Sequence, residues 1–266
     1  MSDPLPGGNL WRCATCDFVF RDPLLGDQVY ERLYRTGGLD LWDNEHHRED
    51  FRLIRQQLAP LDGRRLEVVD IGCYTGQLLS LLPRSFRLYG VEPNMDAGRV
   101  AATRGISVLA ATVDDFALMH EKYDVIMACD VIEHVPNPLT LLRQLSGRLK
   151  AAGRLIITTG NSDAWLWRII GANYWYCRFP EHISFLGAGW VQKMPARAGL
   201  KLIELKLFNY RGGSINLPRI LAAFLHKISP KTYRTLRGTK TGADVANNPP
   251  GNGATRDHML CVFELS

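Results

Sequence analysis

EVVDIGCYTGQLL, residues 67–79, reads as a short apolar strand that runs into Asp70, then a turn bearing Gly72 and Gly76, then a second apolar run. Val68, Val69 and Ile71 supply the β-branched bulk of a strand covered on both faces. Gly72 and Gly76 permit dihedrals that side chains forbid, and they let a ligand come close to the backbone. The run at 78–82 is expected to open a helix whose first amides face that ligand. Strand, glycine turn and helix in this order make a nucleotide-binding unit.

The same alternation continues downstream. Residues 86–91 read as a second strand ending in Glu92-Pro93-Asn94, with a helix over 95–104 and a third strand over 106–109. A loop follows at 111–116. The fourth strand, 123–128, is the most apolar, and it runs into Asp130-Val131-Ile132-Glu133-His134-Val135-Pro136. A helix over 138–150 carries proline in its first turn, and a fifth strand covers 154–159. Upstream, the spacing of Phe51, Ile54, Leu58 and Leu61 predicts an amphipathic helix leading into the first strand. Beyond the fifth strand come a helix over 189–199, a strand over 200–208 and a last strand over 257–265. This rhythm predicts an α/β fold with a doubly wound, mostly parallel sheet.

Ligands of such sheets bind beyond the carboxyl ends of the strands. Asp70, Glu92, Thr112, Asp130 and residues 159–161 all fall there. Glu92 lies 20 positions after Gly72, the spacing at which an acid at the second strand's end reaches a ribose. A carboxylate suits a diol, since its two oxygens can accept one hydroxyl proton each.

The turn lacks the G-x-G-x-x-G pattern of dinucleotide enzymes. VVDIGCYTG, YGVEPN, YDVIMACDVIEHV and LKAAGRLIITTGN instead resemble, in order, the successive motifs of the class I S-adenosylmethionine-dependent methyltransferases. Tyr74 departs from the pattern, standing where a third glycine is common. The resemblance implies a Rossmann-like sheet of seven strands with an antiparallel final strand. It also implies a set of contacts to S-adenosyl-L-methionine. Asp70 and the backbone of Gly72, Cys73, Tyr74 and Gly76 would hold the methionine end. Glu92, beside Pro93, would take the ribose hydroxyls. Thr112 and Val113 would flank the adenine, with Asp114 the alternative for its amino group, and the Cys129 carbonyl would lie near the cofactor's ammonium.

Methyl transfer to oxygen needs a proton acceptor, and His134 and His182 are the candidates. His182 lies in RFPEHISF, which resembles a stretch carried by many small-molecule methyltransferases after the fifth strand; each histidine reads equally well as a structural one. Asp130-x-x-Glu133-His134 resembles the E-x-x-E-H element of ubiquinone-pathway O-methyltransferases, which is linked there to a divalent metal. It makes Asp130, Glu133 and His134 candidate metal ligands. Aromatic residues crowd the segment 161–188, which is expected to form a lid and to line a pocket for a small-molecule or glycan acceptor. A nucleotide-dependent oxidoreductase, a sugar-nucleotide-modifying enzyme and a catalytically silent cofactor-binding protein stay open at this point.

The remaining features are less specific. Residues 1–42 form an N-terminal extension with one C-x-x-C, Cys13 to Cys16, half of what a zinc ribbon needs. The catalytic domain is expected over 43–266, with a basic insertion over 209–256. Between Leu205 and Ala243 there are eight Lys/Arg and no Asp/Glu. That stretch reads either as a solvated surface or, over 217–240, as a patch for an anionic membrane surface. Nucleic acid is a poor partner, because no binding module accompanies the charge. The 266 residues are 46% hydrophobic and 22% charged, ordinary for a globular protein. With no apolar run of membrane-spanning length and no signal-like N-terminus, the expected location is cytoplasmic, with peripheral membrane contact.

Overall fold

The computed structural model describes residues 9–36, 48–210 and 256–266, with scattered positions between 221 and 232. Most of the basic stretch 217–240, most of the insertion 209–256, and His46 and His47 lie outside the described residues. The strands are β1 (Asn9–Arg12), β2 (Val19–Asp22), β3 (Glu67–Ile71), β4 (Arg87–Val91), β5 (Ser107–Ala110), β6 (Tyr123–Cys129), β7 (Leu149–Gly160), β8 (Ser184–Phe185), β9 (Leu200–Phe208) and β10 (His258–Leu265). The helices are α1 (Asp27–Thr36), α2 (Glu49–Leu58), α3 (Gln77–Ser80), α4 (Met95–Thr103), α5 (Val113–Ala117), α6 (Pro138–Ser146), α7 (Trp165–Ile170) and α8 (Ala188–Lys193).

Seven strands form one sheet in the order β5-β4-β3-β6-β7-β10-β9. The pairs among β3 to β7 are parallel, and β10 runs antiparallel to both β7 and β9. This is the expected architecture. Alternation along each central strand feeds two cores. Val69, Ile71 and Ile126 pack with Leu141, Leu142 and Leu145 of α6 on one face. Val68, Val125 and Met127 pack with Leu53, Ile54 and Leu58 of α2 on the other. All parallel strands therefore end at one edge, with their terminal side chains between two apolar layers.

Three local expectations change. The helix after the glycine turn is a single turn, Gln77–Ser80, because Pro83 ends the run. The segment expected as a loop at 111–116 is largely helix α5, capped by Thr112, whose Oγ1 accepts the Asp115 N–H at 3.1 Å. Strand β7 begins at Leu149, five positions before the sequence suggests, and α6 stops at Ser146.

The N-terminal segment is tied to the sheet's lid. Strands β1 and β2 form a hairpin, and β2 pairs with β8, giving a three-stranded sheet β1-β2-β8. Cys13 and Cys16 occupy the hairpin turn, where the Asp17 N–H donates to the Cys13 carbonyl at 3.0 Å. No third metal-ligating group joins them among the described residues.

Gly76 is the least replaceable residue of the glycine turn. Its φ is +77°, and an added Cβ would lie 2.1 Å from Ile106 Cδ1. Gly76→Ala combines left-handed strain with overpacking, so it is expected to destabilise the protein by about 2–4 kcal/mol. A lower urea midpoint with an unchanged slope would show this; an unchanged midpoint would contradict it.

Candidate active site

Four acids line the carboxyl edge of the parallel strands. Asp70 ends β3, Glu92 follows β4, and Asp130 and Glu133 follow β6. Each is held differently. Glu92 is buried, its Oε2 accepting the Tyr74 N–H and its Oε1 the Asn94 N–H, both at 2.8 Å. Burial raises its affinity for a proton, and those two amides oppose the rise. Three more amides of the turn are also spent inside the fold. Gly72 and Cys73 both donate to the Val91 carbonyl, at 2.8 and 3.2 Å, and Gly76 donates to the Cys73 carbonyl. The turn thus presents its shape and its close approach rather than a row of open donors. Tyr74 sits in it at φ +48°.

Asp70 is buried, and its Oδ1 has no hydrogen-bond partner. Burial, aided by the nearby Glu92 and Asp50 carboxylates and opposed by Arg48, pushes its carboxyl up to about 8. Asp130, at φ +52°, is pushed up to about 6 by burial, with Arg48 again opposing. Its Oδ2 accepts Arg48 Nη2 at 2.6 Å, while its Oδ1 is buried without a partner. Arg48 also grips Asp50, through Nε at 3.1 Å and Nη2 at 2.6 Å, and lies 4.4 Å over the Phe51 ring. Burial works against the Arg48 charge, but Asp130 and Asp50 outweigh it and keep the guanidinium protonated.

Glu133 is fully buried and accepts two hydroxyls, Thr159 Oγ1 on Oε2 at 2.9 Å and Tyr176 on Oε1. Burial raises its affinity for a proton. Tyr176 can lie over the end of β7 because residue 160 is glycine; a Cβ there would fall 2.5 Å from its ring. The two nominated histidines come together, with ring centroids 4.8 Å apart. His134 Nδ1 is 3.1 Å from the Glu181 carbonyl and 2.7 Å from the Tyr34 hydroxyl. His182 Nδ1 is 2.9 Å from the Tyr176 carbonyl. A carbonyl can only accept, so the His182 Nδ1 carries the proton and its Nε2 keeps the lone pair, whereas at His134 the Tyr34 hydroxyl can donate to Nδ1 or accept from it. Burial favours the neutral form of each, and for His182 the neighbouring His134 adds to it.

This geometry has counterparts among known proteins. The family described as a methyltransferase domain matches residues 44–205. The chain belongs to that family. It is a class I S-adenosylmethionine-dependent methyltransferase. Similar sequences include the ubiquinone biosynthesis O-methyltransferase of Sodalis glossinidius, 29% identical over 68% of this chain and 84% of that protein. The protein of the same name from Serratia proteamaculans is 30% identical over 49% of this chain and 61% of its own length. Among solved structures, a magnesium protoporphyrin IX methyltransferase from Synechocystis, with bound S-adenosylhomocysteine, shares the fold at a TM-score of 0.57. It is 14% identical, with 91% of this chain and all of that one covered. A possible histamine N-methyltransferase from Thermotoga maritima gives a TM-score of 0.53 at 18% identity, over 90% and 99% of the two chains.

Two of the methyltransferase's three nominated metal ligands, Glu133 and His134, are brought together, and Asp130 is not. Asp130 is turned to Arg48, a cation already within hydrogen-bond distance. The group that closes within 4.8 Å is Glu133, His134 and His182, which leaves Asp130 out. Both Glu133 oxygens in that group already hold hydroxyl donors. Other nominated residues are also placed. The Thr112 side chain serves as the α5 cap, and Val113 is half-buried beside it. Pro93 links Glu92 to the helix cap Asn94, whose side chain accepts the N–H groups of Asp96 and Ala97. The Cys73 side chain is buried against Gly90, and Cys129 ends β6 between Asp70 and Asp130.

Sequence reasoning missed Arg48, Tyr34 and Arg21. Arg21 donates to the carbonyls of Cys177 at 2.6 Å and His182 at 3.1 Å, pinning the segment that carries His182. The lid aromatics are mostly structural. Trp167, Tyr174, Tyr176 and Phe185 form a buried cluster, whereas Phe179 is exposed and Trp175 half-buried.

The Asp70 shift carries a stability consequence. Its folded-state value, about 8, lies above the unfolded value of about 4, so the folded protein holds the proton more tightly. The stability this provides is fully present below about pH 4 and is lost as pH rises towards 8. Asp70→Asn is therefore expected to gain on the wild type in ligand-free urea melts as pH rises from about 5 to about 8.5. A stability difference that stays constant across that range would contradict the assignment.

Proposed function

We propose that the enzyme methylates a hydroxyl oxygen of a small, ring-bearing acceptor. The observation that carries this reading is the pair of neutral imidazoles, the half-buried His134 and the buried His182, at the carboxyl edge beside the aromatic lid. A hydroxyl must shed its proton as it is methylated, and an imidazole with an open Nε2 can accept it. The names of the similar sequences, ubiquinone biosynthesis O-methyltransferases, support the same class of acceptor.

Bound S-adenosylmethionine supplies a sulfonium methyl group and departs as a neutral thioether, so the protein's work is placement and proton removal. Asp70 and the Cys129 carbonyl receive the ammonium, for which the bare Asp70 Oδ1 is the waiting acceptor. Each Glu92 oxygen accepts one backbone amide and keeps a lone pair for a ribose hydroxyl. The backbone of Gly72, Cys73, Tyr74 and Gly76 shapes the floor, and Val113 packs against the adenine. Trp175 and Phe179, the lid aromatics not wholly absorbed by its core, offer a wall for the acceptor ring.

Glu92→Ala should weaken S-adenosylhomocysteine binding by about 1–3 kcal/mol, as two ribose donors and two backbone amides lose their acceptor. Calorimetry reads this directly, and an unchanged Kd would remove the ribose role. For the acceptor, purified protein and methyl-labelled cofactor are assayed against a panel of phenols and glycans. Label on phenolic oxygen is expected; label on glycan alone would move the acceptor class, and no label on any hydroxyl would overturn the reading.

A further inference from the structure

The last strand brings a third imidazole to the same edge. Because β10 runs antiparallel to β7, its first residue, His258, arrives where the parallel strands end, opposite Gly160 and Phe208. It is a histidine in an otherwise apolar, buried run. Its neighbour Asp257 is almost completely buried and takes four hydrogen bonds. Oδ1 accepts His258 Nδ1–H and the Tyr210 N–H, both at 3.2 Å. Oδ2 accepts the Tyr174 hydroxyl at 2.9 Å and Trp175 Nε1–H at 3.4 Å. Burial works against this carboxylate, but those donors, His258 first, outweigh it and hold it ionised.

An ionised Asp257 fixes the tautomer of His258: Nδ1 is protonated and Nε2 carries the lone pair. That Nε2 is buried and has no hydrogen-bond partner. The ring is held on several sides, edge-on to Tyr176 at 5.1 Å, tilted to Tyr210 at 4.6 Å and stacked with Trp175 at 5.9 Å. Tyr176 is the residue whose hydroxyl binds Glu133 and whose ring lies 4.2 Å from that of His182, so His182 and His258 flank one side chain and His134 stands beside His182. They differ in what stands behind them. The Nδ1 atoms of His134 and His182 face neutral groups, backbone carbonyls and, for His134, the Tyr34 hydroxyl, and a proton on either ring would oppose one on the other. His258 places Nδ1–H on a carboxylate, so an imidazolium formed there faces an opposite charge.

Resting on the O-methylation reading above, we propose that His258, oriented by Asp257, accepts the proton of the acceptor hydroxyl. As the hydroxyl oxygen forms its bond to the methyl carbon, the carbon–sulfur bond breaks with its electron pair passing to sulfur. The hydroxyl proton passes to Nε2, and the imidazolium formed faces the Asp257 charge until it releases the proton to solvent. His258 thus replaces His134 and His182 as the proton acceptor, and those two rings stay neutral and hydrogen-bond the acceptor. His258 is then a catalytic residue, and Asp257 a positioning residue.

The test uses the full chain labelled with ¹⁵N-histidine and saturated with S-adenosylhomocysteine, with 3,4-dihydroxybenzoate as the probe and benzoate as a control lacking hydroxyls. Adding the probe, but not the control, is expected to move the His258 Nε2 resonance from the lone-pair region towards the hydrogen-bonded region. This arm needs no variant to fold. In turnover with methyl-labelled cofactor, His258→Gln and Asp257→Asn are each expected to lower kcat by about 100-fold or more, with S-adenosylhomocysteine affinity unchanged. Imidazole is expected to restore part of the rate of His258→Ala. A His258 resonance that is already hydrogen-bonded before the probe and does not move would mean a buried water satisfies Nε2, and would overturn the proposal. So would a larger loss of kcat in His134→Gln or His182→Gln than in His258→Gln. Wild-type protein that binds S-adenosylhomocysteine but methylates no hydroxyl overturns the O-methylation reading itself. Methylation that survives in His258→Gln sinks the role of His258 alone.

Discussion

The structure depends on how four carboxyl groups are kept out of water along one edge of the sheet. Parallel strands must all end on the same side, so Asp70, Glu92, Asp130 and Glu133 cannot avoid one another. Burial disfavours charge on each of them. The fold answers two of the four in full, with backbone amides for Glu92 and two hydroxyls for Glu133, and it answers Asp130 on one oxygen with the Arg48 guanidinium. Asp70 and Asp130 each keep Oδ1 bare. An ammonium and a diol are the groups that complement such an edge. An isolated buried carboxylate is costly, so Asp70 holds its proton well above the usual carboxylate range.

The imidazoles on the opposite side of β6 and β7 follow a related logic. Each ring is oriented through Nδ1, which leaves Nε2 as the chemically distinct nitrogen. What sits behind Nδ1 differs, a carbonyl in two cases and a carboxylate in the third. The Tyr176 hydroxyl and the absence of a side chain at Gly160 hold this half of the edge together. The aromatic residues of the lid mainly serve that scaffold. Their abundance in the sequence overstated how many could touch an acceptor.

Much of the sheet, and the place of the acids along its edge, was legible in the sequence. The β-branched runs, the Gly72–Gly76 turn and the position of Glu92 are local patterns with few structural solutions. Helix length after the turn was not legible, because Leu78, Leu79, Leu81 and Leu82 suit several turns of helix as well as one. Thr112 looked like a ligand contact, yet a threonine followed by two acids is equally an N-cap. Arg48 was hidden for another reason: a charged residue opening an amphipathic helix looks solvated, and its partner Asp130 is 82 positions away. Asp257 and His258 were read only as strand residues. No periodicity marks an acid whose four donors come from Tyr174 and Trp175, Tyr210 and His258.

Arg21 has a temporal consequence. Its bonds to Cys177 and His182 join residues 156 and 161 positions apart, and β2 meets β8 across a similar gap. During synthesis the hairpin leaves the ribosome long before its partner strand exists, whereas β3 and β4 can pair as soon as both emerge. The sheet can thus assemble around a nascent chain whose lid has yet to close, and the histidine-bearing segment is fastened only after residue 185 is made. Translation order sets the earliest moment of each contact: the edge that carries the four acids can form first, and the segment over it only later.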